Sequence, residues 1–156
     1  MKYKWLEPLL VLAVFATDRV AKVLALRYLL LKPVKVLPAF SLTYVENTGV
    51  AFGMFRDNNT FFIVFSIALV AALLAFRRKL PEPGSAVRAG IALVLGGALG
   101  NLYDRLAYGF VVDFFDLSFF PAVFNIADSA ITVGAGLLAI GINRLEHRER
   151  KIENRE

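Results

Sequence analysis

Residues 58–76 carry no charge at all, between Asp57 and Arg77. At 1.5 Å per residue, a helix of this length matches the hydrocarbon thickness of a bilayer. Two more apolar runs follow, 89–103 without a charge and 117–143 interrupted only by Asp128. Residues 5–31 are also apolar, apart from Glu7, Asp18, Arg19, Lys22 and Arg27. The spacing predicts four transmembrane helices, over about 6–28, 59–76, 88–106 and 123–143. The chain is expected to be an all-α polytopic membrane protein, one integral membrane domain over 1–156, with a small β-rich extracytoplasmic segment at the membrane surface.

Composition agrees with that class. The 156 residues are 58% hydrophobic, yet 20% are charged. A soluble domain of this size spreads its charges over its surface, whereas here they cluster between apolar runs. Basic residues fix the expected orientation. Eleven of the 18 lie in the N-terminus (Lys2, Lys4), the loop 77–87 with Arg88 beyond it, and the tail 144–156. Four lie in the outer segments or at their edge (Lys32, Lys35, Arg56, Arg105), and Arg19, Lys22 and Arg27 lie within the first helix. Both termini are therefore expected in the cytoplasm, and the net charge of +5 reports membrane orientation, not nucleic-acid binding. Lys2, Lys4 and the Val14-Phe15-Ala16 triplet also fit a cleaved signal peptide. The apolar pattern resumes after Lys22, which favours a retained span.

The outer segments differ in character. In 32–58, the run Phe40-Ser41-Leu42-Thr43-Tyr44-Val45 has the alternation and β-branching of a short strand. This segment is a candidate platform or lid. The segment 107–122 is too aromatic for a solvated loop, and its Phe and Tyr residues fit the interfacial belt. With no Cys and one His in the tail, thiolate chemistry, a multi-histidine zinc site and a Ser-His-Asp triad have no material. No metal and no cofactor are expected.

Carboxylates are left as the credible catalysts. Ionisable groups within a span are costly and need a reason. Asp18 and Lys22 are four apart, on one helix face, and read as an internal ion pair. Asp128 is expected two turns into the fourth helix, on a polar stripe with Asn125, Ser129 and Thr132 that faces other helices. Asp113 lies fifteen residues earlier, among Val111, Val112, Phe114 and Phe115. Two carboxyls held close share a proton, so that one activates water and the other protonates the scissile carbonyl or leaving amine. The plain alternative is a loop residue and a helix-packing residue. Asp104 adjoins Arg105 and is expected to pair with it. Gly96 and Gly100 have the spacing that lets two helices approach closely.

Five motifs occur in order: Asp18-x-x-x-Lys22; Glu46-Asn47-Thr48-Gly49-Val50-Ala51-Phe52-Gly53; Gly96-Gly97-Ala98-Leu99-Gly100-Asn101-Leu102-Tyr103-Asp104-Arg105; Val111-Val112-Asp113-Phe114; and Phe124-Asn125-Ile126-Ala127-Asp128-Ser129-Ala130. Together they resemble the lipoprotein signal peptidase family, signal peptidase II of bacteria, over roughly residues 8–143. The resemblance implies an aspartyl endopeptidase of the bacterial cytoplasmic membrane with its site near the outer face. It would remove the signal peptide from diacylglyceryl-modified prolipoproteins, cutting before the lipidated cysteine. By resemblance the catalytic pair is Asp113 and Asp128. Asn47, Gly49, Asn101, Arg105 and Asn125 contact substrate, and Asp18 and Lys22 support the site. Membrane lipids, the prolipoprotein and cyclic peptide antibiotics are the implied partners. Val50 stands where Ala is more usual, and Phe119 and Phe120 where a tryptophan is often seen; both exchanges are apolar.

Two other readings use the same residues. Lys22 could activate Ser41 or Ser129 as a nucleophile. Alternatively, Asp18, Lys22 and Asp128 could line a pathway in a small transporter or scaffold subunit.

Overall fold

The computed structural model describes residues 5–49, 58–80 and 84–153. Four helices, α1 (Leu6–Tyr28), α2 (Asn59–Lys79), α3 (Ser85–Tyr108) and α4 (Ile126–Glu153), stand with a sheet of three strands, β1 (Val34–Leu37), β2 (Phe40–Asn47) and β3 (Val111–Leu117). Among the described residues, Asn59–Lys79, Ser85–Tyr108 and Ile126–Leu145 are long and apolar enough to cross a membrane.

Helix α1 has the length but five charged residues, and it is inside-out. Its buried stripe is Val14, Asp18, Lys22 and Ala25, while Leu9, Leu12, Val20, Val23 and Leu24 are exposed. Apolar side chains facing outward and charges facing inward are the arrangement lipid favours.

Helix α3 is the axis of the bundle. Its Gly96 and Gly100 receive α1: a Cβ on Gly96 would stand 2.7 Å from Val14 Cβ, and one on Gly100 2.6 Å from Asp18 Oδ2. Gly90 and Gly97 receive α4, which answers with Gly134, whose own Cβ would stand 2.8 Å from the Gly90 carbonyl oxygen. Helix α2 packs its backbone against α3, with only Phe62 and Ser66 buried. At the end where α1 begins, the Glu7 carboxylate accepts from Arg77 Nε (2.7 Å) and Nη2 (3.0 Å) and from Arg88 Nε (2.7 Å). One carboxylate thus joins α1, α2 and α3.

The sheet is antiparallel in the order β1-β2-β3. Strand β3 corrects the expectation for 107–122: the aromatic run is paired backbone, not only an interfacial belt. It begins after Gly109, which ends α3 at φ 84°. On one face, Val112 and Phe114 pack against Ala25 of α1 and Leu29 just past its end.

A bulge lies between Leu42 and Val45 of β2, where three steps along β2 match two along β3. The extra residue exchanges the faces of the remaining strand. Without it Asp113 would face Tyr44 and the even-numbered residues. With it, Val45 opposes Asp113, and Asn47 shares the Asp113 face.

Helix α4 also departs from expectation. It starts at Ile126 rather than near 123, so Asp128 sits in its first turn, not two turns in. The cause is a reciprocal cap. Asn125 Oδ1 accepts from Asp128 N (2.9 Å), and Asp128 Oδ2 accepts from Asn125 N (3.2 Å). Of the proposed lid, residues 50–57 lie outside the described residues, as do Lys2, Lys4 and Arg155.

Candidate active site

A cleft of about 1170 Å³ opens between the sheet, the end of α3 and the start of α4. Asn47, Gly49, Asn101, Arg105, Asp113 and Asp128 all line it. Strand β3 carries Asp113, whose side chain is 1% exposed. Asp128 is half-buried on the opposite wall.

Three asparagines hold the carboxyls. Asn47 Nδ2 donates to Asp113 Oδ2 (2.8 Å), Asn125 Nδ2 to Asp113 Oδ1 (2.6 Å) and Asn101 Nδ2 to Asp128 Oδ1 (2.8 Å). Each amide oxygen is occupied in turn. Gly49 N donates to Asn47 Oδ1 (3.0 Å), Lys22 Nζ to Asn101 Oδ1 (2.8 Å) and Asp128 N to Asn125 Oδ1 (2.9 Å). With its oxygen engaged, each amide has one orientation in which its NH₂ meets a carboxylate.

Asn125 therefore lies differently from the expectation of substrate contact. It is wholly buried behind the two carboxyls and bridges them, and Asn101 Oδ1 (3.2 Å) and Val112 O (3.3 Å) are also within its reach. The polar stripe faces both α3, through the Asn101 contacts of Asn125 and Asp128, and the cleft. Ser129 and Thr132 line it, their hydroxyls donating to the Asn125 and Asp128 carbonyls.

Below the cleft is a buried ionic cluster. Lys22, 0% exposed, reaches Asp18 Oδ2 and Asp104 Oδ2, each at 2.9 Å, as well as Asn101. Asp18 Oδ1 accepts from Ala127 N (2.9 Å), and Asp104 Oδ2 from Val112 N (3.1 Å). Asp104 pairs with Arg19 and Lys22, not with Arg105 as expected. Neighbours on a helix point apart, whereas Asp104 shares a face with Asn101, three residues before it. That spacing was the signal for a cluster member the sequence left aside. The Lys22 contacts include neither Ser41 nor Ser129.

Burial pushes the Asp113 carboxyl up to about 7, and the charge of Asp128 pushes the same way. The hydrogen bonds from Asn47 and Asn125 oppose the rise without cancelling it.

The family model for signal peptidase (SPase) II matches residues 10–144. The chain belongs to the signal peptidase II family. It is accordingly an aspartic endopeptidase of that type, embedded in a membrane. A lipoprotein signal peptidase of Caldanaerobacter subterraneus subsp. tengcongensis is 49% identical over 125 residues, 78% of this chain and 84% of that one. One from Desulfitobacterium hafniense is 45% identical over 142 residues, 90% of this chain and 94% of its own. Among solved structures, a bacterial membrane enzyme obtained by the in meso method at 2.3 Å resolution superposes with a TM-score of 0.85. It is 31% identical, and the match covers 91% of this chain and 90% of that one.

Proposed function

We propose that this signal peptidase II family member removes the signal peptide from diacylglyceryl-modified prolipoproteins, with Asp113 and Asp128 as a water-activating pair. The observation that carries this reading is the meeting of the two carboxyls in one cleft, bridged by Asn125. The proton-bearing carboxyl is Asp113, the more deeply buried of the two. Asp128 takes a proton from water, and the water oxygen attacks the scissile carbonyl carbon. Asp113 gives its proton to the carbonyl oxygen. When the tetrahedral species collapses, the C–N bond breaks, Asp128 returns its proton to the leaving amine of the lipidated cysteine, and Asp113 takes back a proton from the diol hydroxyl that becomes the new carbonyl. The signal peptide leaves with a new carboxyl terminus. Asn47, Gly49, Asn101 and Arg105 border the cleft as substrate contacts. Asn125, Asp18 and Lys22 support it from behind.

The reading includes α1 as a fourth span. Its 23 residues reach about 34 Å, enough for a bilayer core. The Glu7 cluster ties the start of α1 to the end of α2 and the start of α3, the basic end of the bundle. By the basic-residue rule this end is cytoplasmic, which places both termini inside, in the bacterial inner membrane, and the carboxyls at the outer face. The apolar substrate then enters sideways from lipid, and the same groove is the one a cyclic peptide antibiotic would occupy.

The test is cleavage of a purified prolipoprotein with and without diacylglycerol on its cysteine. Mass spectrometry of the lipidated substrate is expected to find a product beginning at that cysteine, while the unlipidated form stays intact. A folded protein that cuts neither, or cuts elsewhere, overturns the reading.

A pH dependence follows. Asp113 holds its proton below about 7 and loses it above. The general acid is then missing, so kcat/KM is expected to fall on the alkaline side with a midpoint near pH 7. A profile flat to about pH 9 contradicts the assignment. Stability moves in the same window. An unfolded Asp ionises near 3.9 and this one only near 7, so the folded state is progressively disfavoured as pH rises between those values.

A further inference from the structure

We propose that Phe62 is the positioning residue of Arg105, holding its guanidinium at the cleft for an acceptor oxygen of the substrate; this rests on the substrate-contacting role given to Arg105 above. Arg105 lines the same cleft as Asp113 and Asp128, yet no carboxylate of the described residues stands within ion-pair distance of it. With no such pair among the described residues, something else must define the place of this long side chain. The Phe62 ring supplies it, with its centroid 5.0 Å from the guanidinium carbon. Phe62 is 6% exposed, in a helix otherwise turned outward, so the ring is itself fixed.

A second contact acts on the same residue. Asn59 Nδ2 donates to the Arg105 carbonyl oxygen at 3.1 Å. Asn59 and Phe62 are three apart, on one face of α2. The first turn of α2 is set by Asn58, whose side chain accepts from Phe61 N (3.3 Å). One helical turn thus grips both the backbone and the side chain of Arg105. An aromatic ring attracts a cation through its π face and takes no conventional hydrogen bond from the N–H donors. Among the described residues no acceptor takes a hydrogen bond from the guanidinium, so the ring holds the cation without drawing on its donors.

Phe62→Leu and Phe62→Met keep an apolar side chain but remove the π face. Each is expected to raise KM for the lipidated prolipoprotein about 2- to 30-fold, with kcat within about twofold of wild type. Phe62→Tyr keeps the face and is expected to stay within about twofold of wild type on both. In an Arg105→Gln background, Phe62→Leu is expected to add nothing, because the residue it serves is gone. The proposal is overturned by folded Leu and Met variants with wild-type KM, by a Tyr variant as impaired as Leu, or by additive effects with Arg105→Gln. A wild-type protein that fails to cleave at all counts against the proposed function instead. Wild-type cleavage with an unaffected Phe62→Leu counts against the positioning role alone.

Discussion

Asp113→Asn and Asp128→Asn are each expected to lower kcat/KM for prolipoprotein cleavage by about a thousandfold or more. Both proteins should still insert and elute as the wild type does. The local structure explains why chemistry and folding separate here. In Asp128→Asn the introduced amide keeps an acceptor oxygen for Asn125 N, and the other half of the cap uses a backbone N–H, which the substitution leaves alone. In Asp113→Asn the amide keeps one oxygen for Asn47 or Asn125, while the β2–β3 ladder is untouched. Each variant gives up one amide hydrogen bond, from Asn101 at position 128 or from Asn47 or Asn125 at position 113, together with the ability to take or give a proton. Cleavage within about tenfold of wild type by either folded variant would overturn the two-aspartate assignment.

The second large effect is on stability. Lys22→Met removes the cation between Asp18 and Asp104, both wholly buried, and leaves Arg19 as the remaining partner for Asp104. Breaking a buried pair from one side costs about 3–5 kcal/mol, because the other charge stays behind without compensation. At this chain length that corresponds to a fall in Tm of roughly 6–20 °C in detergent. Adding Asp18→Asn removes one charge of the opposite sign, and the double variant is expected to melt above the single one. A Lys22→Met protein with wild-type Tm, or one made worse by Asp18→Asn, contradicts this account of the cluster.

How legible these features were in the sequence depends on which forces write a local pattern. Charges mark the ends of α2 sharply, since Asp57 and Arg77 bracket an uncharged run. Strand β3 was hidden because Val111, Val112, Asp113 and Phe114 are all buried. A strand covered on both faces shows no alternation. The start of α4 was written in the sequence: Asn125 followed three residues later by Asp128 is a capping pattern. The apolar run that continues upstream through Phe124 masks it. The partners of Asp104 come from α1, some eighty residues away, and only packing around Gly96 and Gly100 brings them near. The bulge in β2 leaves no local mark either, yet it decides that Asn47 meets Asp113.

The three locked asparagines have a consequence for inhibition. Their oxygens are held by Gly49 N, Lys22 and Asp128 N before any ligand arrives, so the donors around the carboxyls form a mould already set. A ligand that places a single hydroxyl between the carboxyls has little of the protein to rearrange. Its affinity then depends chiefly on how much of its own freedom it surrenders. A ring that cannot fold away from that hydroxyl has an advantage over a linear peptide with the same side chains.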